Sequence, residues 1–475
     1  MQYRRLIALI PFIGWGLVSI INGTGCANVI PPSGGPRDSV PPVLLEVSPP
    51  DSSANFSGNR IVFTFDEFID LQNVQENLLV SPIPQTSPVV DFKLKTMTVR
   101  LKDSLEPNTT YTFRFGNAVK DYTEGNPVKD LTYMFTTGNY FDSLELSGNV
   151  MLAETGKVDT SLIVMLHTDG DDSAVVTKKP RYITKLDGTG RFRFRNLPAK
   201  TFYLYALKDE GGSRRYLSDK QLFAYADSAV VLPGRDEPVT LYAFSVTPPA
   251  APVVAPSITP GGRIRRGENT ADRVLKYQNS LINGEQDLLS RFTLRFEEPL
   301  RAYDSSKIRL FTDSVITPVP AYTLEKDSTG KKIVLSTGWK ENTVYHLVLD
   351  KDFADDSSGK KLLKTDTIHF KTKKLSEYGS LKLRIKDLDM SRNPVLLMVS
   401  NETIFKSFPL TGPELNQPLF FPGEYQLRIL FDRNKNGVWD PGNFFGEKRQ
   451  PEIVRPIERK INVKPNWQNE FDIAL

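Results

Sequence analysis

A chain of 475 residues is too long for one hydrophobic core, and about three to four domains are expected. Lys plus Arg number 60 against 56 Asp plus Glu, and a net charge of +4 is too weak and too dispersed to serve a nucleic-acid partner. The single cysteine, Cys26, excludes an intramolecular disulfide framework and a Cys-based metal site, while 34 prolines with abundant Val, Thr, Phe and Tyr favour strands and turns over helices.

Arg4 and Arg5 precede an apolar stretch, Leu6 to Ile21, that is interrupted by Pro11 and by glycines. Asn22-Gly23-Thr24-Gly25 then supplies small residues before Cys26, the layout of an export signal over 1–25. After residue 25 no apolar run reaches the roughly 18 residues that a bilayer span requires. The stretch resembles a bacterial lipoprotein signal of the relaxed kind found in Bacteroidota-type bacteria, with Gly23 where Leu, Val or Ile is usual. The resemblance implies lipidation of Cys26 and anchoring in the outer membrane, on its periplasmic face or at the cell surface. The bland alternative is a secretory signal with a stray cysteine. Residues 26–42 are rich in Pro and Gly, which remove donors and add chain entropy, so they read as an extended tether.

Residues 43–139 alternate strand patterns with turns, as in Arg60–Phe65, Thr96–Leu101, Thr110–Phe115 and Leu131–Phe135. The plan recurs over 272–374. Phe63-Thr64-Phe65-Asp66-Glu67 falls on Leu294-Arg295-Phe296-Glu297-Glu298, and Pro107-Asn108-Thr109-Thr110-Tyr111 on Glu341-Asn342-Thr343-Val344-Tyr345. The opening Pro42 to Pro49, the Phe63–Glu67 strand end, Leu105–Phe113 and the closing Phe135-Thr136-Thr137-Gly138 resemble the bacterial Ig-like domains of S-layer and envelope proteins. Residues 140–247 and 375–475 form two further β blocks. Gly190-Arg191-Phe192-Arg193-Phe194 followed by Leu197-Pro198 resembles the transthyretin-like or carboxypeptidase-regulatory-like module. Tyr425, Leu427, Leu430 and Asp432 align with Phe202, Leu204, Leu207 and Asp209. The expected architecture is therefore all-β: tandem β-sandwiches in the order Ig-like, small sandwich, Ig-like, small sandwich. A Pro/Ala and Arg-containing linker over 248–271 joins the halves, and its Arg263, Arg265 and Arg266 read as a solvated link.

The sharpest local motif is Asp432-Arg433-Asn434-Lys435-Asn436-Gly437-Val438-Trp439-Asp440. Asp432, Asn434, Asn436, the Val438 carbonyl and Asp440 have the spacing of the opening half of a Ca2+ loop. Asn443 stands where a closing glutamate belongs, and Glu447 reaches the site only along a different loop path. The same residues also suit a hairpin loop closed by its own Asx hydrogen bonds. Trp439 is a candidate aromatic platform for a sugar or a partner pocket, or else a residue packed back on its own sandwich.

The acidic pairs Asp66-Glu67 and Glu297-Glu298 point to opposite faces of a strand, so they read as structural rather than catalytic. His167, His346 and His369 have no metal-binding spacing. The Asp-Ser/Thr-apolar triplets Asp38-Ser39-Val40, Asp103-Ser104-Leu105, Asp142-Ser143-Leu144, Asp172-Ser173-Ala174, Asp227-Ser228-Ala229, Asp313-Ser314-Val315 and Asp366-Thr367-Ile368 resemble the O-glycosylation acceptors of exported Bacteroidota proteins. No catalytic residue and no required cofactor is expected. The reading is a lipid-anchored, non-enzymatic envelope scaffold that meets a protein partner. The alternative is an accessory glycan-binding lipoprotein that uses Trp439.

Overall fold

The computed structural model describes residues 38–234, 237–246, 274–312 and 317–475. Cys26, most of the tether, the 248–271 linker and the Asp313-Ser314-Val315 triplet lie outside the described residues. Those described are almost all strand and turn, as expected from composition.

In the first Ig-like sandwich, one sheet has the spatial order Leu44–Ser48, Arg60–Phe65, Thr96–Arg100, Val89–Lys93. The facing sheet runs Leu79–Ser81, Thr110–Arg114, Thr132–Thr136, and Ser53 bridges Phe135 in parallel at its far edge. Period-two alternation turns Ile61, Phe63 and Phe65 inward to meet Phe113, Phe115, Tyr133 and Phe135. A short pair, Ile69–Leu71 with Val119–Asp121, closes one end.

The second copy repeats this plan within its own core. Tyr277–Asn279, Phe292–Phe296, Lys332–Ser336 and Thr323–Lys326 make the first sheet. Glu285–Gln286, Asp366–Thr372, Val344–Leu349 and Ile308–Thr312 make the second, with Thr317–Pro318 added beyond them. Smaller devices recur too. Lys95 Nζ donates to the Asp66 carbonyl (2.6 Å) and Lys331 Nζ to the Glu297 carbonyl (2.9 Å), so the acidic pairs mark a braced strand end. Buried Asp121 accepts the N–H groups of Glu124, Gly125 and Asn126, and buried Asp356 those of Ser358 and Lys360.

The two small sandwiches share a second topology. In the first, Arg191–Leu197, Leu144–Leu152 and Val239–Ala243 face Tyr182–Lys185, Leu162–His167, Thr201–Lys208 and Phe223–Tyr225. In the last, Glu414–Phe420, Gly379–Lys386 and Gln468–Ala474 face Thr403–Pro409, Pro394–Ser400, Gly423–Phe431 and Ile453–Val463. Each three-stranded sheet contains one parallel pair, Leu144–Leu152 with Val239–Ala243 and Gly379–Lys386 with Gln468–Ala474. Gly148 lies in the first of these pairs, where a Cβ would meet the Val239 carbonyl at 2.1 Å and the Phe192 ring at 2.5 Å.

The central strands of the larger sheets, Leu162–His167 and Thr201–Lys208 in the first and Pro394–Ser400 and Gly423–Phe431 in the last, are buried on both faces over most of their length. Leu162, Val164, Leu166, Leu204 and Ala206 fill the inner core, yet Met165, His167, Tyr205, Leu207 and Phe223 on the other face are buried as well. Strands without polar alternation have this meaning: something covers the outside. His167 is caught in that outer layer, edge-on to Tyr205, with its Nε2 atom unpartnered. Burial is the main reason its imidazole falls from 6.5 to about 4. The Lys178 cation adds to the fall, against the nearby Asp169 carboxylate.

A histidine held neutral in the fold but free to protonate when unfolded supports the native state above pH 6.5, and that support drains away as pH falls towards about 4. The domain is expected to lose up to about 3 kcal/mol over this window, read as urea midpoints across pH. His167→Phe, which keeps a ring against Tyr205, should flatten that part of the profile.

Candidate functional site

The site begins where the strand Gly423–Phe431 ends. Asp432, 1% exposed, accepts the Lys435 N–H and the Gly437 N–H at 2.7 Å each, which bends the chain through positive φ at both residues. Asn434 Oδ1 takes the Asn436 N–H, and Asn436 Oδ1 takes the Val438 N–H. Both amide Nδ2 groups donate to one oxygen, Asp440 Oδ2, at 2.7 and 2.8 Å. The two amides thus hold positive N–H ends against a carboxylate. A flip of each amide would present oxygens at the same place, at the loss of the bonds that Asn434 Oδ1 and Asn436 Oδ1 accept from the Asn436 and Val438 N–H groups.

Glu452 seals the loop from beneath, and sequence spacing missed it. One of its oxygens accepts the Arg433 N–H (2.7 Å) and the other the Asp440 N–H (3.1 Å). Burial, aided by Asp432 and Asp440, raises its carboxyl above the ordinary carboxylate range, against the pull of those two N–H donors. Glu447, which could close the site only along a different loop path, is exposed. The Asn443 side chain donates instead to the Phe445 and Glu447 carbonyls. Among the described residues no group of three or more His, Cys, Asp or Glu side chains is placed to hold a metal ion, so any cation here would depend on the Asn434 and Asn436 amides and a carbonyl. In the first small sandwich Asp209 keeps the same cap, accepting the N–H of Arg214 five residues on, without the two amides.

Trp439 packs on Val395, Leu397, Leu430 and Val454, and its indole N–H donates to the Glu452 carbonyl at 2.8 Å. It covers the outer face of its own sheet rather than standing free. The exposed acceptors of the Asp-Ser triplets include Ser39, Ser104, Ser143, Ser173 and Ser228.

Beyond Gly442 the loop becomes an arm that sequence reasoning did not anticipate. Asn443 and Arg449 exchange backbone hydrogen bonds at 2.7 and 2.8 Å, forming a tight hairpin. At its tip Phe444, 2% exposed, sits among Tyr205, Phe223 and Tyr225 of the first small sandwich, with ring centroids 5.1–5.7 Å away. Phe445 stacks on Tyr216, which itself stacks on Phe223. Tyr225 Oη donates to the Asn443 carbonyl (3.0 Å), Gln450 donates to the Tyr225 carbonyl (3.0 Å), and Lys448 pairs with Asp172 at 2.5 Å. Burial pushes the Tyr225 phenol up to about 12, so it remains a donor at all ordinary pH.

The fit leaves little space. A Cβ on Gly442 would stand 2.6 Å from the Phe244 ring and 2.8 Å from the Arg449 carbonyl. Alongside, the Val454 N–H donates to the Ala153 carbonyl (2.8 Å), and Lys157 pairs with Glu402 at 2.6 Å. The only sequence signal was the lack of polar alternation in Leu162–Leu166 and Phe202–Leu207, which requires a cover, together with the apolar pair Phe444-Phe445 in an otherwise polar loop.

Residues 38–137 match the family model described as a bacterial Ig-like domain. A comparison with curated proteins finds no match. Similar solved structures include the N-terminal part of the bacterial S-layer protein SbsC, at 15% identity over 35% of this chain and 40% of that one, with a TM-score of 0.16. This chain thus spans less than half of that structure. Two others are the Bacillus anthracis TIE protein (10% identity, 94% and 76% covered, TM-score 0.17) and the Bacillus cereus major pilin subunit BcpA (9% identity, 70% and 99% covered, TM-score 0.16). At TM-scores of this size the likeness carries no inference about activity.

Truncating Phe444 empties a pocket that the arm alone fills, at a cost of up to about 3–5 kcal/mol in the docked state. Phe444→Ala is expected to make 443–450 the first site of limited proteolysis, whereas Phe445→Ala, at an exposed stack, changes the cleavage pattern little.

Proposed function

We propose that this protein is an exported, lipid-anchored envelope protein that acts as a non-enzymatic scaffold, presenting sandwich surfaces to a protein partner. The observation that carries the reading is the docked arm. The longest polar loop of the last sandwich closes on the chain itself through Phe444, instead of framing a cleft with convergent acid, base or nucleophile. Small sandwiches in tandem suit spacing and presentation. The Ig-like match over 38–137 and the export-type N-terminus are in keeping with an envelope address. The packing of the partly buried Trp439 on its own domain favours the scaffold over the glycan-binding alternative.

Anchoring is assigned to Cys26. In cells fed a labelled fatty acid, the wild-type chain is expected to take up label and sediment with membranes, and Cys26→Ala to do neither. Crosslinking in intact cells should then trap a discrete protein partner. Labelling that persists in Cys26→Ala would overturn the anchor, and a protein that crosslinks to nothing but itself would overturn the scaffold.

We also propose that Asp432, Asn434, Asn436, the Val438 carbonyl and Asp440 take up Ca2+ after the two amides flip, with Glu452 holding the loop from beneath. Hard cations prefer oxygen sets of this kind. Calcium is expected to raise the melting temperature and excess chelator to lower it. Equal melting temperatures in both conditions would remove calcium from the account.

A further inference from the structure

We propose that His346 and His369 form a chelate for a borderline divalent transition-metal ion, Cu2+ or Ni2+ in preference to Zn2+, on the second Ig-like sandwich. Linear spacing gives no hint of it, since 23 residues separate the two. The fold makes them direct partners in the antiparallel pairing of Val344–Leu349 with Asp366–Thr372. Tyr345, Leu347 and Phe370 point into the core, so alternation sends both imidazoles to the outer face. Their ring centroids are 4.8 Å apart, and Nδ1 stands 2.6 Å from Nδ1. In that contact one nitrogen donates and the other accepts, so binding requires the donor ring to carry its proton on Nε2 instead and both rings to turn their Nδ1 lone pairs off the N–N line towards a common ion.

Metal–imidazole bonds are about 2.0–2.1 Å. Two such nitrogens lie roughly 2.9 Å apart at a cis square-planar ion and roughly 3.3 Å apart at a tetrahedral one. The pair therefore needs to open by only about 0.3 Å for Cu2+ or Ni2+ and by more than twice that for Zn2+. Cβ positions fixed by two hydrogen-bonded strands allow the smaller adjustment through side-chain rotation alone.

The surroundings leave the rest of the coordination sphere open. Along the two strands the neighbours on the same face are Val344, Val348, Thr367 and Lys371, and Phe311 lies across from His346. None of these is a carboxylate; on the neighbouring strand the exposed Glu285 pairs with Lys371, and water takes the positions that its side chain does not reach. His369 is exposed and His346 half-buried, so an ion has access. The third histidine, His167, is sealed in the first small sandwich at 2% exposure and does not compete.

The test uses the full chain titrated with Ni2+ and with Cu2+ by calorimetry, and with Cu2+ by electron paramagnetic resonance. One ion per chain is expected, with affinity falling at least tenfold in His346→Ala and in His369→Ala and unchanged in His167→Phe. The Cu2+ spectrum should carry coupling to two imidazole nitrogens, reduced to one in each single variant. Equal affinities in wild type and both alanine variants would overturn the proposal. So would a wild-type Cu2+ spectrum without imidazole coupling, a result that stands even if a variant misfolds.

Discussion

The burial of Phe444 among Tyr205, Phe223 and Tyr225 is the contact that ties the last small sandwich to the first. A small sandwich has one core, and its second sheet face normally meets water. Here the central strands of both larger sheets are apolar on the outer face too and need covers. The last sandwich uses Trp439 for its own, while the first receives the arm of its distant sister. Aromatic anchors in desolvated pockets concentrate binding energy in few residues, and the polar contacts of Tyr225, Gln450 and Lys448 around Phe444 fix orientation more than they add energy.

A repeated plan with local divergence explains how such an arm arises. The two small sandwiches share strand order, and their matching loops keep the aspartate cap, Asp209 with Arg214 and Asp432 with Gly437. The cap sets the turn in both. Only the second loop extends into the 443–450 hairpin and carries Asn434 and Asn436. The common turn is thus structural, and what was added to it is where a new role lies. The Ig-like copies diverge in the same fashion, since a shared brace on the Asp66 and Glu297 carbonyls coexists with a histidine pair in the second copy alone.

Much of the fold was legible from residues. Phe-Thr-Phe alternation, turn residues between strands and internal alignment all led to an all-β chain, because each depends on local geometry. The Asx character of the 432–440 loop was legible for the same reason. What escaped were pairings across long separations. Tyr225 and Asn443 are 218 residues apart, and a Phe in a polar loop looks alike whether it meets solvent or a partner sheet. Glu452 was missed because it belongs to the next strand rather than to the motif. The histidine pair was missed because strand register between His346 and His369 passes through a long, turn-rich connection that no spacing rule resolves. Trp439 could be read either way, because its indole bond goes to the carbonyl of Glu452, which lies outside the motif.

The proposed scaffold role requires the two small sandwiches to stand at a fixed separation, and that requirement can be measured. With alanine at Cys26 and spin labels on cysteines introduced at exposed Thr177 and Glu458, one on each small sandwich, pulsed dipolar spectroscopy reads the distance between them. The account predicts a single narrow distribution that broadens on Phe444→Ala. An equally broad distribution with and without Phe444 would contradict it.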